Sequence, residues 1–302
     1  MLVLDAGDLL FKKFSNPIPE NELKMAADKA RLIIGSLDLM GYDALGIGDD
    51  DLALGKEFLL EISKKANFPF LSSNIFDEAS DKLLFQPYLI KEINGLRIGI
   101  FSLLSLDLFL SQSDTRRKGI VVRPPFEVAP NMVKELQPKT DLIILLSHLG
   151  YQKDVELAQT VPGIQLIVGS HNGLNLVNPP VIKNTIILQT PPRGMYAARL
   201  DLTLINGESG FCNVATKRSM ENNLNNLKNR LNSTQAPEAE KAQLPKSKEE
   251  IERSLKQFQG KNEFTNTILP LSGNMRDHPE ILKMVDEYKS KYPEAPKPVA
   301  PK

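Results

Sequence analysis

Residues 142–150 have the sequence LIILLSHLG, and this stretch decides the fold class. Its first five residues are aliphatic, which is typical of a single buried strand. A polar pair, Ser147 and His148, follows directly. The same arrangement recurs at 166–171, where LIVGSH ends on His171. Two aliphatic strands that end in histidine indicate an α/β sheet with polar groups at one edge.

Outward from these strands, residues 1–218 alternate short aliphatic segments with amphipathic segments of helical length. This alternation is typical of βαβ units and predicts an α/β fold with a mostly parallel sheet. The predicted strands are Leu2–Leu4, Ala44–Ile47, Phe70–Ser72, Ile98–Ser102, Leu142–Leu146, Leu166–Val168 and Ile186–Gln189. The predicted helices are Glu20–Met40 and Glu57–Ala66. Asn94-Gly95 between two strand-like segments predicts a hairpin, so some antiparallel pairing accompanies the parallel units.

The composition fits a protein with an aliphatic core. Of the 302 residues, 41% are hydrophobic and 6% are aromatic. The 37 basic and 37 acidic residues balance, so no net charge attracts nucleic acid or acidic membranes. No stretch approaches the roughly 18 apolar residues of a membrane span. Cys212 is the single cysteine, which excludes an intramolecular disulfide framework and leaves His, Asp, Asn and Glu as candidate metal ligands.

The chain changes character after residue 218. Residues 219–261 are rich in Asn, Lys, Glu and Gln, with apolar residues only at helical intervals. We predict a polar helical insertion whose narrow apolar stripes pack against each other or against a partner. Ser247 followed by Glu250 is a capping-box pattern, which predicts that the second helix of the insertion begins at Ser247.

Residues 262–292 are predicted to return to the core. Phe264–Leu271 has the pattern of a strand, and Asp277 with Glu280 predicts the capped start of a final helix. One face of that helix carries the apolar residues Ile281, Leu282, Val285 and Tyr288. Residues 293–302 contain four prolines without a periodic apolar face, which is typical of an extended linker.

Four predicted strands are followed by residues that can bind a metal ion. These residues are Asp8, Asp49, His148 and His171. Open α/β sheets bind ligands beyond the carboxyl ends of their strands, so the four side chains can converge on one site. Each has a simpler alternative, since such a histidine can be hydrogen-bonded and structural, and Asp49–Asp51 can be an acidic turn that caps the next helix. Two of the chain's three histidines stand at the same kind of position, shortly after an aliphatic strand, and this coincidence favours a metal site over separate structural roles.

Short motifs lie in a fixed order along the chain. They are Asp5-Ala6-Gly7-Asp8, Gly41-Tyr42-Asp43-Ala44, Gly48-Asp49-Asp50-Asp51, Leu71-Ser72-Ser73-Asn74, Ser147-His148-Leu149-Gly150 and Gly169-Ser170-His171. This ordered set resembles the calcineurin-like metallophosphoesterase superfamily, and within it the 5′-nucleotidase family. The resemblance covers nearly the whole chain apart from residues 219–261, and the set is far more specific than its parts.

The resemblance implies a four-layer αββα sandwich of two mixed sheets with a dinuclear metal site at its edge. It implies that Asp8 bridges the two metal ions, while Asp49, His148 and His171 complete the shell of the second. The implied cofactors are divalent ions such as Mn, Zn, Mg, Fe or Ca, two in the family and two or one here. Such ions clamp phosphate oxygens and acidify the water that attacks phosphorus. The implied function is metal-dependent hydrolysis of a phosphomonoester, with a nucleotide as the expected substrate.

Several departures from the family's motifs bear on activity. The family places a D-x-H motif on a strand upstream of D-x-G-D. We expect that this chain begins too late to contain that motif, so that the first strand of the core at 1–218 is missing. Asp49 stands at the family's Asn, and its oxygen can replace the amide oxygen as a ligand. Asp50 stands at the family's catalytic His, so an acid that assists the leaving group becomes a carboxylate that repels phosphate. Gly173 stands at a further ligand position. These departures predict impaired hydrolysis.

Two functions therefore stay open. The first is a phosphoester hydrolase acting on a small molecule, and the second is a non-catalytic or one-metal binding module that retains the fold. A protein partner could bind through residues 219–261 or the proline-rich tail at 293–302. Nucleic acid is not an expected partner. The family resemblance implies an exported, often periplasmic protein, although no signal peptide is visible in the sequence.

Overall fold

The computed structural model describes residues 1–13, 15, 17–192, 194–205, 210–231 and 244–293. Most of the predicted linker tail and the middle of the predicted insertion, residues 232–243, lie outside these ranges.

The largest sheet has six strands. They are β5 (Tyr88–Ile93), β6 (Leu96–Leu104), β8 (Leu142–His148), β9 (Leu166–Gly169), β10 (Val181–Ile182) and β11 (Thr185–Leu188). Their spatial order is β10-β11-β9-β8-β6-β5, with a parallel centre and an antiparallel strand at each edge. The predicted hairpin joins β5 to β6, and Asn94 and Gly95 both have positive φ, as a tight two-residue turn requires.

The remaining strands in the described ranges form three smaller sheets. The first is parallel and consists of β1 (Leu4–Asp5), β2 (Ala44–Gly46) and β3 (Phe70–Leu71). The second is the antiparallel pair of β4 (Ile75–Asp77) and β7 (Ile120–Val122). The third consists of β12 (Tyr196–Thr203), β14 (Asn262–Pro270) and β13 (Phe211–Asn213), in that spatial order.

Seven α-helices lie in the described part of the chain. They are α1 (Leu23–Met40), α2 (Gly55–Ser63), α3 (Pro125–Leu136), α4 (Tyr151–Thr160), α5 (Val214–Leu231), α6 (Leu244–Lys256) and α7 (Pro279–Lys291). The predicted helix at Glu20–Met40 is present as a short 3-10 turn followed by α1. No helix among the described residues is long and apolar enough to cross a membrane.

Three buried clusters define the layers of the fold. The first cluster joins α1 and α2 to the parallel sheet, through residues such as Ile34, Leu59 and Leu45. The second joins α3 and α4 to the six-stranded sheet. The third lies between the sheets and includes Leu71, Ile144 and Phe264. The order helix, sheet, sheet, helix confirms the predicted four-layer αββα sandwich, with one of its sheet layers divided into separate hydrogen-bonded sheets.

The predicted insertion contains two helices that pack on each other. The first, α5, begins at Val214, five residues before the predicted boundary. Leu224 of α5 and Leu244 of α6 are buried. The prediction that the second helix begins at Ser247 is wrong, because α6 already includes Leu244. A capping motif offers only one local way to satisfy the first N–H groups of a helix, so the pattern also occurs inside helices.

After the two helices the chain forms a strand of the third small sheet. Strand β14 pairs with β12 and β13, and its Phe264 is buried between the sheet layers. The predicted cap of the last helix is wrong. His278, not Asp277, is the N-cap residue of α7, and no side chain among the described residues caps this helix. Leu282, one of the apolar residues predicted on a single face of this helix, is 42% exposed. Helix α7 lies instead along α1, where the Tyr288 hydroxyl donates to the Met25 carbonyl oxygen.

Candidate metal centre

The four residues predicted to bind metal come together. One donor atom from each of Asp8, Asp49, His148 and His171 can be chosen so that all four atoms lie within 4.8 Å of one another. Asp8 follows β1 and Asp49 follows β2 of the parallel sheet, while His148 ends β8 and His171 follows β9 of the six-stranded sheet. The site therefore forms where the carboxyl edges of the two sheet layers meet.

Close backbone contacts fix the two acidic loops of the site. A Cβ on Gly7 would clash with the Gly48 nitrogen, and one on Gly48 would clash with Oδ1 of Asp8. Only glycine permits this approach. Asp8 and His171 have φ angles of 63° and 69°, in the left-handed region that non-glycine residues rarely adopt. Such backbone strain is concentrated at functional sites, and here it holds two of the four donors.

The ring of His148 is oriented by its own contacts. Nδ1 lies 3.0 Å from the carbonyl oxygen of Ala6 and 2.6 Å from the Ser170 hydroxyl. A carbonyl oxygen only accepts hydrogen bonds, so Nδ1 carries the proton and donates. In the neutral ring Nε2 is then unprotonated, and it lies 3.1 Å from both Asp8 Oδ2 and Asp49 Oδ1. A lone pair facing two carboxylate oxygens requires a cation between them, either a proton or a metal ion.

The pKa values of His148 and Asp49 also indicate that a cation is favoured at this site. Burial alone lowers the pKa of His148, but hydrogen bonds to Asp49 and Asp8 and the charge of Asp8 raise it well above its usual value. Burial alone raises the pKa of Asp49, but hydrogen bonds from His148 and His171 and the charges of His148 and Arg116 hold it well below its usual range. Carboxylate and imidazole thus stabilise each other's charged form.

These donors fit a divalent ion. Two imidazole nitrogens and two carboxylates suit Zn²⁺, Mn²⁺ or Fe²⁺, whereas Ca²⁺ and Mg²⁺ prefer sets of oxygen ligands. The Nδ1 contact of His148 with a backbone carbonyl is the outer-shell hydrogen bond that metal-bound histidines usually make. His171 is exposed, so an ion can reach the site from solvent.

The sequence motifs left several supporting residues unassigned. Asp51 is buried, and its carboxylate accepts the backbone N–H groups of Asp8, Leu9, Leu10 and Gly48 at 2.9–3.0 Å. It therefore ties the loop after β1 to the loop after β2. No local pattern reveals this role, because three of the four N–H groups come from positions more than 40 residues away in the chain.

Arg116 is the largest omission from the sequence-based site. It is buried, and its Nη1 donates to Asp49 at 2.5 Å and to Asp50 at 2.7 Å. Asp50, predicted at the catalytic position, thus contacts Arg116 and is not one of the four clustered donors. Gly173 supplies no ligating group, and a Cβ there would meet the ring of Pro192. Three consecutive acidic residues after a buried strand were the available signal that a buried cation lies nearby.

Comparison with known proteins gives the site its context. No family model matches the chain. A 5′-nucleotidase from Vibrio cholerae is 31% identical along an alignment that covers 69% of this chain and 42% of that protein. This chain therefore spans less than half the length of that relative.

Solved structures show the same fold. The sulfate thiohydrolase SoxB of Thermus thermophilus superimposes with a TM-score of 0.67 at 18% identity, over 96% of this chain and 43% of that one. A 5′-nucleotidase precursor, also from Thermus thermophilus, gives a TM-score of 0.62 at 23% identity, over 96% of this chain and 49% of that one. At these identities the likeness is one of fold.

Proposed function

We propose that this chain, which belongs to the 5′-nucleotidase family of the calcineurin-like metallophosphoesterases, is a metal-dependent phosphoester hydrolase. The observation that carries the proposal is the convergence of Asp8, Asp49, His148 and His171 at the carboxyl edges of two sheets. Among the described residues they form one mixed nitrogen and oxygen donor set. A nucleotide is the proposed substrate class, because the relative from Vibrio cholerae is a 5′-nucleotidase.

The protein's own residues would prepare this site before a substrate arrives. A bound divalent ion would polarise a phosphate oxygen and acidify a water molecule. The contact with Ala6 keeps Nε2 of His148 turned toward the site. The Asp50 N–H donates to Oδ1 of Asp8 at 2.8 Å, which leaves Oδ2 of Asp8 facing His148. We propose that one or two metal ions are held here.

We propose that hydrolysis by this chain is slow. Asp50 contacts Arg116 instead of offering an imidazole to the leaving group, and Gly173 offers no ligand. Losing a single transition-state contact typically costs about 2.7–4 kcal/mol, which is roughly a hundred- to thousandfold in rate. The contact between Asp50 and Arg116 equally favours the second candidate, a one-metal or non-catalytic binding module that retains the fold.

Metal binding is the first test. Mn²⁺ or Zn²⁺ at about 100 times its Kd should add about 2.7 kcal/mol to the free energy of unfolding. The double variant His148→Ala, His171→Ala should lose this stabilisation, because both nitrogen donors are gone. His278→Ala is the matched control, since His278 is the third histidine and is exposed at the start of α7. Equal stabilisation of the double variant by metal would refute the site.

Turnover separates the two candidate functions. The Mn²⁺-loaded protein should hydrolyse AMP or an aryl phosphate well below the ordinary range of about 1–1000 per second. Activity that is lost in EDTA and in Asp8→Asn would support the hydrolase. Stoichiometric metal binding without any metal-dependent turnover would establish the binding module instead.

Further proposals concern the protein's surroundings. We propose that it is exported, as the family resemblance implies. We also propose that the helical pair α5 and α6, or the proline-rich tail at 293–302, binds a protein partner. Helices α5 and α6 pack against each other, which is the arrangement predicted as the alternative to a partner.

A further inference from the structure

A buried arginine stands directly behind the candidate metal centre. Arg116 lies in the loop between β6 and β7 and is only 2% exposed. Its Nη1 donates to Oδ2 of Asp49 at 2.5 Å and to Oδ1 of Asp50 at 2.7 Å. Its Nη2 donates to Oδ2 of Asp114 at 2.7 Å. One guanidinium thus contacts three buried carboxylates.

The two oxygens of Asp49 have different partners as a result. Oδ2 accepts from Arg116, while Oδ1 lies 3.1 Å from Nε2 of His148 and 3.7 Å from Nδ1 of His171. A carboxylate with one oxygen held in this way presents a single oxygen to the other donors. Asp50 is likewise drawn toward the arginine and away from the donor cluster.

The loop holds Arg116 in place independently of these acids. Asp114 accepts the backbone N–H of Arg116 at 3.0 Å and that of Leu110 at 2.9 Å, which fixes the short 3-10 turn that carries the arginine. The guanidinium also lies 5.2 Å from the ring centre of Phe109. Phe109 belongs to the core cluster beneath α1 and α2. The arginine is therefore preorganised before it meets Asp49.

We propose that Arg116 is a positioning residue that engages Oδ2 of Asp49 and the carboxylate of Asp50, so that Asp49 gives the metal one oxygen and Asp50 gives none. This inference rests on the proposed metal site. Its consequence is ion selectivity, because Ca²⁺ takes six to eight oxygen ligands while Zn²⁺ and Co²⁺ accept smaller sets with imidazole. Arg116 withholds oxygens and thereby disfavours Ca²⁺.

Co²⁺ is the probe for the test, because its visible absorption reports the ligand set. In Arg116→Met the second oxygen of Asp49 and the Asp50 carboxylate become available to the ion. We expect the Co²⁺ spectrum to change and the ratio of Ca²⁺ to Co²⁺ affinity to rise at least tenfold, measured by competition. Arg116→Lys, which keeps the charge, should restore the ratio in part. Arg117→Met is the matched control. Arg117 is the next residue of the same turn, and it donates to the Ser111 carbonyl oxygen, away from the donor cluster. Both the spectrum and the affinity ratio should stay unchanged in this variant.

A second variant protects the test against misfolding. Arg116→Met combined with Asp50→Asn removes one positive and one negative charge together, so the buried site keeps its net charge. It should show the part of the spectral change that the freed Oδ2 of Asp49 causes. A wild-type spectrum and affinity ratio in folded Arg116→Met, or in the double variant, would overturn the inference. Failure of the wild-type protein to bind Co²⁺ at all would instead refute the proposed metal site.

Discussion

Asp51 and Asp154 are both buried, but the protein satisfies them in opposite ways. Asp51, between β2 and α2, accepts four backbone N–H groups from two loops. Asp154, in the first turn of α4, accepts the Ser147 hydroxyl on Oδ1, while its Oδ2 has no hydrogen-bond partner among the described residues. Burial and the nearby Asp8 raise the pKa of Asp51 to about 7, and burial raises that of Asp154 to about 7.

The difference shows that burial alone does not decide what a carboxylate contributes. The oxygens of Asp51 accept hydrogen bonds from N–H groups that are shielded from solvent. Removing the carboxylate therefore leaves those donors without an acceptor. At Asp154 few donors depend on the oxygens, so the cost of burying the charge dominates. The same substitution should therefore have opposite effects at the two positions.

The largest expected effect is that of Asp51→Asn. The amide group keeps one accepting oxygen but turns its NH₂ toward two of the four N–H groups, and each buried unsatisfied donor costs about 1–3 kcal/mol. We expect a loss of about 4 kcal/mol in the free energy of unfolding, measured by urea denaturation at pH 7. Asp107→Asn, at an exposed position, should change it by less than about 1 kcal/mol. If Asp51→Asn lowered the free energy of unfolding as little as Asp107→Asn does, the contrast drawn between Asp51 and Asp154 would be wrong.

Asp154→Asn should increase the free energy of unfolding relative to wild type as the pH rises, whereas Asp51→Asn should lower it. The folded pKa of Asp154 lies above the ordinary 3.8, so wild-type stability falls as pH rises from about 4 through about 7. The variant has no such titration. Between pH 5 and pH 8 it should gain about 2–3 kcal/mol relative to wild type. Urea denaturation in EDTA measures this, and parallel pH profiles for the two proteins would contradict it.

Asp49 is a third buried carboxylate, and it differs from Asp51 and Asp154 because it is hydrogen-bonded to a histidine ring. That ring, His148, can give up its proton when a metal ion binds. The pKa of His148 is raised while it is hydrogen-bonded to Asp49 and Asp8, so metal binding must displace a proton from its ring. Co²⁺ affinity should therefore rise about tenfold for each pH unit between pH 6 and pH 7. Titrations at these two pH values test this, and a pH-independent affinity would show that His148 is not a ligand.

The sequence allowed the four donors to be predicted because their positions are encoded locally. Asp8, Asp49, His148 and His171 each stand at or shortly after the end of a short aliphatic strand. Two of them lie at strand ends of the parallel sheet and two at strand ends of the six-stranded sheet, and strand ends at one edge of a sheet are neighbours in space. The alternation of strands and helices predicted the α/β class, while the four-layer order was implied by the family resemblance.

Arg116 could not be predicted in the same way. Its contacts with Asp49 and Asp50 join residues far apart in the chain, and the loop that carries it has no periodic pattern. The predictions of where the last two helices begin were wrong for a related reason. Ser247 and Asp277 have capping chemistry, yet α6 includes Leu244 and α7 is preceded by His278, because the surrounding packing fixes where a helix begins.

The antiparallel pairing of β12 with β14 has a consequence for how the chain is made. Glu263 pairs with Thr203 only after α5, α6 and the segment between them have been synthesised. On a ribosome, β12 must therefore wait for its partner, and pairings between distant segments are slow because loop closure costs entropy first. A hairpin of α5 and α6 that forms early lowers this entropy cost, because it brings the end of β13 close to the start of β14.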